Sequence, residues 1–204
     1  MFQGLVSCTT PLIQVNTNDL GLQWVIERPD ATHDINIGDS ICLNGACMTV
    51  TRFNQAELFF DIMPETIKKT QFSEALPGDL INFELARRVG DRIGGHDLQG
   101  HVDGIGSIEK IIAIDNKHHS ILITLPEHLS LMCVPKGFIG INGISLTITN
   151  IKKNQLQVDI IPHTWMATNL HQMKEKKHLN IEIDIHSKTL FHFINQMKKT
   201  EENT

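Results

Sequence analysis

Residues 39–51 read DSICLNGACMTVT, and residues 137–149 read GFIGINGISLTIT. Aligning Asn44-Gly45 with Asn142-Gly143 sets an offset of 98, and that offset runs on without a gap. Thr49 meets Thr147, DIMPET (61–66) meets DIIPHT (159–164), Thr70 meets Thr168, and INFE (81–84) meets LNIE (179–182). Between 40–86 and 138–184 there are 13 identities in 47 positions, several times what unrelated segments share, so the chain is a duplication. The starts read as equivalent at an offset of 100, with MFQGLV (1–6) against HVDGIG (101–106) and Gly4 facing Gly104. On that alignment His101 stands where Met1 stands. The charged, glycine-bearing stretch ARRVGDRIGGHDLQG (86–100) reads as a linker between two units.

Inside each unit the short runs are β-branched or aromatic. MTVTRF (48–53), LFFDIM (58–63) and LINFEL (80–85) answer to LTITNI (146–151), LQVDII (156–161) and LNIEIDI (179–185), and SILITL (120–125) adds another. The two Asn-Gly pairs are hairpin turn signals. Strands this short, separated by turns, predict an all-β fold with a small closed antiparallel barrel in each half, because closure removes exposed edges. The units are taken as 1–96 and 97–186. From 187 to 204 the pattern changes. Leu190, Phe193 or Ile194, and Met197 fall at helical spacing, with Ser187 as a cap and Lys198 and Lys199 at the negative end. The apolar stripe suits packing on its own barrel or on a second copy equally well. The tail TEENT (200–204) reads as disordered.

Composition excludes several classes. The chain has 204 residues, a net charge of −5, and no tyrosine, which leaves little room for a basic nucleic-acid face or a base-stacking platform. Its four cysteines show no C-x-x-C spacing, so neither a zinc site nor a secreted disulfide scaffold is indicated. No basic, then apolar, leader opens the chain, and no stretch is apolar enough to span a bilayer. A cytoplasmic protein is expected. GDRIGG (90–95) lacks the Gly-Lys-Ser/Thr ending of a phosphate loop.

Chemistry concentrates where the repeats carry polar groups at matched positions. A lone cysteine is most often a small core residue. Cys47, however, matches Ser145, each follows an Asn-Gly turn, and each shares a strand face with a threonine two residues on, Thr49 or Thr147. DIMPET and DIIPHT end strands at a proline, leaving backbone donors and acceptors free for a flat heterocycle with amide-like edges. Of eleven histidines, His101 is singled out, because one unit alone has an imidazole there. Asp184 matches Ala86, a second such inequality. His118-His119 reads as an exposed turn, and the other histidines have no visible partners.

MFQGLV, NGACMTV, ETIKKT, GDRIGGHDLQGHVDG, KGFIGINGISLT and IPHT…TNL, in that order, make the whole chain resemble the riboflavin synthase α-chain family. The resemblance implies two tandem, similar, six-stranded Greek-key barrels and a C-terminal helix that assembles a homotrimer. It implies a dismutation in which one 6,7-dimethyl-8-ribityllumazine gives four carbons to another. The products are riboflavin and 5-amino-6-(D-ribitylamino)uracil, with no cofactor or metal. Some members also dock with a lumazine synthase shell.

Carried over by motif, the first pocket would use Gly4, Leu5, Val6, Cys47, Met48, Thr49, Asp61, Ile62, Met63, Pro64, Glu65 and Thr66, with Phe2 and Ser40 as further sensitive positions. The second would use Gly100, His101, Val102, Lys136, Ser145, Leu146, Thr147, Ile161, Pro162, His163 and Thr164. The resemblance assigns proton transfer to His101 with Thr147. Ser145 and Asp184 would activate or stabilise one substrate, and Cys47 would contact the other. Gln3, Asn142 and His163 depart from the family's usual Thr, Asp and Glu. A non-catalytic lumazine or flavin carrier of the same fold is the competing reading. A reductase's flavin-binding barrel would need a nicotinamide domain that no residues are left to build.

Overall fold

In the computed structural model, residues 1–19, 21–115 and 118–202 are described. Barrel one consists of β1 (Cys8–Asn18), β2 (Gly21–Glu27), β3 (Ser40–Leu43), β4 (Ala46–Phe53), β5 (Glu57–Ile62) and β6 (Leu80–Leu85). Barrel two consists of β7 (Gly104–Ala113), β8 (His119–Thr124), β9 (Phe138–Ile141), β10 (Ile144–Lys152), β11 (Gln155–Ile160) and β12 (His178–Ile183). Both close, and the strands run in the same order: β1-β2-β5-β4-β3-β6, and its counterpart β7-β8-β11-β10-β9-β12. β3–β4–β5 form a meander while β2 leaves to pair with β5, which is a Greek-key path with every pairing antiparallel. His119 is the first residue of β8 and stacks on Trp165 at 3.8 Å, so the expected exposed turn does not include it.

Each lumen is filled, so neither barrel is a container. Trp24, Phe60, Phe72 and Phe83 dominate the first core, and Ile, Leu and Val fill the second. Alternation along β4 sends Ala46, Met48 and Val50 inward, leaving Cys47 and Thr49 on the outer face. Any ligand site must therefore lie outside the barrels.

The turn signals hold. Asn44 and Gly45 both have positive φ, 44° and 88°, as do Asn142 and Gly143, 47° and 76°, which is what a two-residue I′ hairpin requires. The two turns meet back to back. A Cβ on Gly45 would stand 2.8 Å from the Gly143 nitrogen, and a Cβ on Gly143 equally close to the Gly45 nitrogen. Around them Asn82 Nδ2 donates to Asn142 O at 2.9 Å, and Asn180 Nδ2 donates to Asn44 O at 2.7 Å. Each contact has its reciprocal, so a local twofold relates the barrels.

Between barrels and strands lie α1 (Pro64–Lys69), α2 (Glu127–Ser130) and α3 (Pro162–Ala167); α4 (Ile185–Glu202) ends the described chain. Pro64 and Pro162 do more than end strands. Each opens a helical turn at its first position, where a missing N–H costs nothing. The terminal helix begins two residues before the expected Ser187. Its cap is Asp184, whose Oδ2 accepts from the Ser187 N–H at 3.2 Å. Thr200–Glu202 continue this helix, correcting the expectation of disorder there; the last two residues lie outside the described set. Among the described residues no helix is long and apolar enough to cross a membrane.

The expected alignment of the two starts is overturned. Phe2 and Leu98 form an antiparallel bridge, and Gly4 and Gly100 share φ near +70°, at 72° and 75°. The correct offset there is 96, matching FQGLV (2–6) to LQGHV (98–102). His101 therefore answers to Leu5, not to Met1. The repeat's identities lie mostly in strands and turns, and a connection between units need not keep the same length.

Candidate functional site

The two start segments exchange barrels. Cys47 of β4 donates its N–H to Gly100 O at 2.9 Å, and Ser145 of β10 donates its N–H to Gly4 O at 2.9 Å. Val102 packs on the core of barrel one and Val6 on that of barrel two. The sequence-based grouping is thus crossed: Gly100–Val102 complete the site of barrel one, and Gly4–Val6 that of barrel two. Each segment stays tied to its own unit by a buried carboxylate. Glu84 accepts from Gln3 N at 2.7 Å and Gly4 N at 3.1 Å; Glu182 accepts from Gln99 N at 2.7 Å and Gly100 N at 3.1 Å. Burial pushes Glu84 up to about 7, against the pull of those N–H groups, and raises Glu182 as well. Neither glutamate was picked out as functional from sequence. The signal was present, since both are identical across the repeat.

Gly4 and Gly100 permit this approach. A Cβ on Gly100 would stand 2.5 Å from Cys47 Cβ, and one on Gly4 2.6 Å from Ser145 Cβ.

Site one is a cleft of about 220 Å³ where β4, α1 and the segment after Gly100 converge, lined by Cys47, Glu65, Thr66, His101, Val102 and their neighbours. Cys47 is half-buried and His101 exposed. The first turn of α1 has no side-chain cap, so its N–H groups are open to an acceptor. Asp61 accepts from Gln23 Nε2 at 2.9 Å, and Met63, at the strand end, is exposed. Ser40 pairs with Thr49 across the β3–β4 ladder. Phe2 is fully buried with Cys42 and Leu98, beneath the site rather than in it.

Site two is its counterpart on β10 and α3, with one addition. His96 Nδ1 lies 2.7 Å from Ser145 Oγ, and the ring stacks on Phe138 at 5.0 Å. Burial lowers the His96 pKa, while Asp184 and Asp97 oppose the shift. A neutral imidazole beside a hydroxyl can hold or pass its proton. Sequence reading passed over His96, which has no repeat partner. Asp184, besides capping α4, lies close enough to act on His96. Thr147, Lys136, Ile161 and His163 are exposed around this site, with Pro162 and Thr164 half-buried at the start of α3.

Three expected contacts need correction. The Met48, Ile62 and Leu146 side chains point into the barrel cores, so the binding face sees only their backbone. Within one chain, His101 belongs to site one while Thr147 stands on β10 of barrel two, so the expected pair is not assembled there.

A cleft on the outer face of barrel one and the matching polar face of barrel two, each completed by the other unit's start segment, define a protein whose candidate sites lie outside its filled barrels. The chain belongs to the lumazine binding domain family, whose model matches residues 3–86 and again 99–184. At the level of particular proteins, it is similar to riboflavin synthases. It is 34% identical to that of Bacillus amyloliquefaciens over 100% of this chain and 94% of the relative. It is 33% identical to that of Escherichia coli over 100% and 96%, and 38% identical to that of Chlamydia pneumoniae over 92% of each. Among solved structures, LumP complexed with riboflavin superposes with a TM-score of 0.84 at 26% identity, covering 90% of this chain and 99% of that one. LumP complexed with 6,7-dimethyl-8-(1'-D-ribityl) lumazine gives 0.81 at the same identity, covering 89% and 98%.

Proposed function

We propose that this protein is a riboflavin synthase. It converts two molecules of 6,7-dimethyl-8-ribityllumazine to riboflavin and 5-amino-6-(D-ribitylamino)uracil by transferring a four-carbon unit. The observation that carries this reading is that both crossed sites keep reactive polar groups. Cys47 and His101 stand at one, and Ser145, His96 and Asp184 at the other, in a chain that matches riboflavin synthases from end to end. A carrier needs only one such site.

The chemistry follows from the duplication. Two identical substrates call for two related pockets, and holding them face to face turns an encounter into an oriented step. The C7 methyl of the lumazine is acidic because its anion delocalises into the ring, so His101 suffices as a base. Ser145 and Asp184 activate or stabilise the partner molecule, and Cys47 contacts the other. The exposed stripe of Leu190, Phe193, Ile194 and Met197 on α4 supports a homotrimer built through this helix. In the trimer, site one of a subunit meets site two of its neighbour, which brings His101 to Thr147. In this reading the enzyme works in the cytoplasm, and docking with a lumazine synthase is open to it.

Incubating the purified protein with the lumazine alone tests the reading. Riboflavin fluorescence should appear without added cofactor. Tight binding with no riboflavin formed would instead support the carrier.

A further inference from the structure

Cys42 plays no part in the sites described above, yet it stands directly opposite Cys47 in the β3–β4 ladder. The Asn44–Gly45 turn makes Leu43 and Ala46 the hydrogen-bonded pair next to it, so Cys42 and Cys47 form the following, non-hydrogen-bonded pair. The Cys47 N–H agrees, since it donates outward to Gly100 O and not across the ladder. Both side chains leave the barrel on its outer face. Ile41, Leu43, Ala46 and Met48 fill the lumen, while Cys42 joins Phe2 and Leu98 and Cys47 packs onto them. Facing Cα atoms in such a pair are about 4.5 Å apart. That lies within the roughly 4.4–6.8 Å that disulfides span. Access is unequal: Cys42 is buried, whereas Cys47 lines the cleft. In barrel two the same register holds Gly140 and Ser145, so only one site carries two thiols.

We propose that Cys42 and Cys47 are an oxidisable pair that a small peroxide converts to a disulfide, with Cys47 as the attacking thiol and Cys42 as the resolving one. The Cys47 sulfur attacks one oxygen of hydrogen peroxide, the O–O bond breaks, and water leaves, giving a sulfenic acid. The Cys42 sulfur then forms the S–S bond, the S–O bond breaks, and the Cys42 proton departs with the hydroxyl as water. Two thiols and one peroxide become one disulfide and two waters. Burial, with Glu84 and Glu182 nearby, holds the Cys42 thiol well above its ordinary range. Cys47 lines the cleft while Cys42 is buried behind it, so the peroxide meets Cys47 first. The disulfide withdraws the Cys47 thiol from a cleft shared with His101. Its effect on turnover rests on the synthase reading; formation of the bond does not.

A Cys8→Ser/Cys133→Ser variant leaves only the pair and is treated, folded, with hydrogen peroxide. The expected result is that both thiols disappear together, the intact mass falls by two hydrogens, and dithiothreitol restores both. Riboflavin formation should fall and recover in step. Oxygen added at Cys47 with Cys42 still titratable after unfolding would overturn the pair, as would a bond between chains or no reaction. Phenylarsine oxide, which bridges close thiols, gives an independent reading. One arsenic per chain is expected in this variant and none after further Cys42→Ala replacement; no binding to the pair overturns the proposal. If the disulfide forms in protein that never made riboflavin, the synthase reading fails and the pair stands.

Discussion

Asn82 donates from Nδ2 to the backbone carbonyl of Asn142 at 2.9 Å, and accepts at Oδ1 from the Asn169 N–H at 2.7 Å. One side chain of barrel one thus binds two backbone groups of barrel two, and Asn180 returns the arrangement by binding Asn44 O and the Gln71 N–H. All five asparagines are buried. The network fixes how the barrels face each other, and so where the exchanged start segments can reach.

Asn82→Ala should therefore destabilise strongly. It leaves a carbonyl and an N–H buried without partners, each costing about 1–3 kcal/mol. Urea unfolding of the variant should show a loss of about 2–6 kcal/mol in total. A loss under about 1 kcal/mol would mean that apolar packing alone orients the barrels.

His101→Gln should lower turnover at least about a hundredfold, the low side of what general base catalysis supplies. The residue is exposed, so the thermal midpoint and the mass in solution should not change. Undiminished turnover by the folded protein would remove His101 from proton transfer.

Glu84 should leave a pH signature in stability. Its carboxyl lies at about 7 in the folded chain, above the ordinary 4.5, because burial penalises the charged form. The native state therefore favours the neutral acid. Stability from this group is fully present below pH 4.5 and is lost as pH rises through 7. The wild-type advantage over Glu84→Gln should shrink by about 3 kcal/mol across that window. Unfolding both proteins at a series of pH values checks this; a difference that is flat or grows with pH would show the carboxylate clasping Gln3 and Gly4 at no cost.

Phe193→Glu should break the proposed homotrimer without unfolding the barrels. Phe193 is 61% exposed, and α4 leaves it unpacked within the chain. Sedimentation should show that trimer giving way to monomer, and riboflavin formation should be lost if the proposed pairing of sites across subunits holds. An unchanged trimer would move the interface elsewhere.

The duplication, the paired Asn-Gly turns and the strands from Met48 to Leu85 were legible because they depend on local signals. Alternation, β-branching and turn chemistry act within a few residues, and the second copy repeats them at a constant offset. The inequality of the copies was legible too, since Cys47 against Ser145 and Asp184 against Ala86 need only an alignment. The repeat marks Glu84 and Glu182 as matched positions, but their role and that of His96 were not legible, because their partners lie 49 to 83 residues away and no local pattern announces them.

By itself, then, the sequence determined two copies of one barrel, their turns, and the polar residues by which they differ. Tertiary structure decided which residues share a site. Two filled barrels related by a local twofold send each start segment across to the other, so Gly100 serves Cys47 and Gly4 serves Ser145. The reason is physical: a strand pattern specifies which face a side chain takes, but not which neighbour will cover that face.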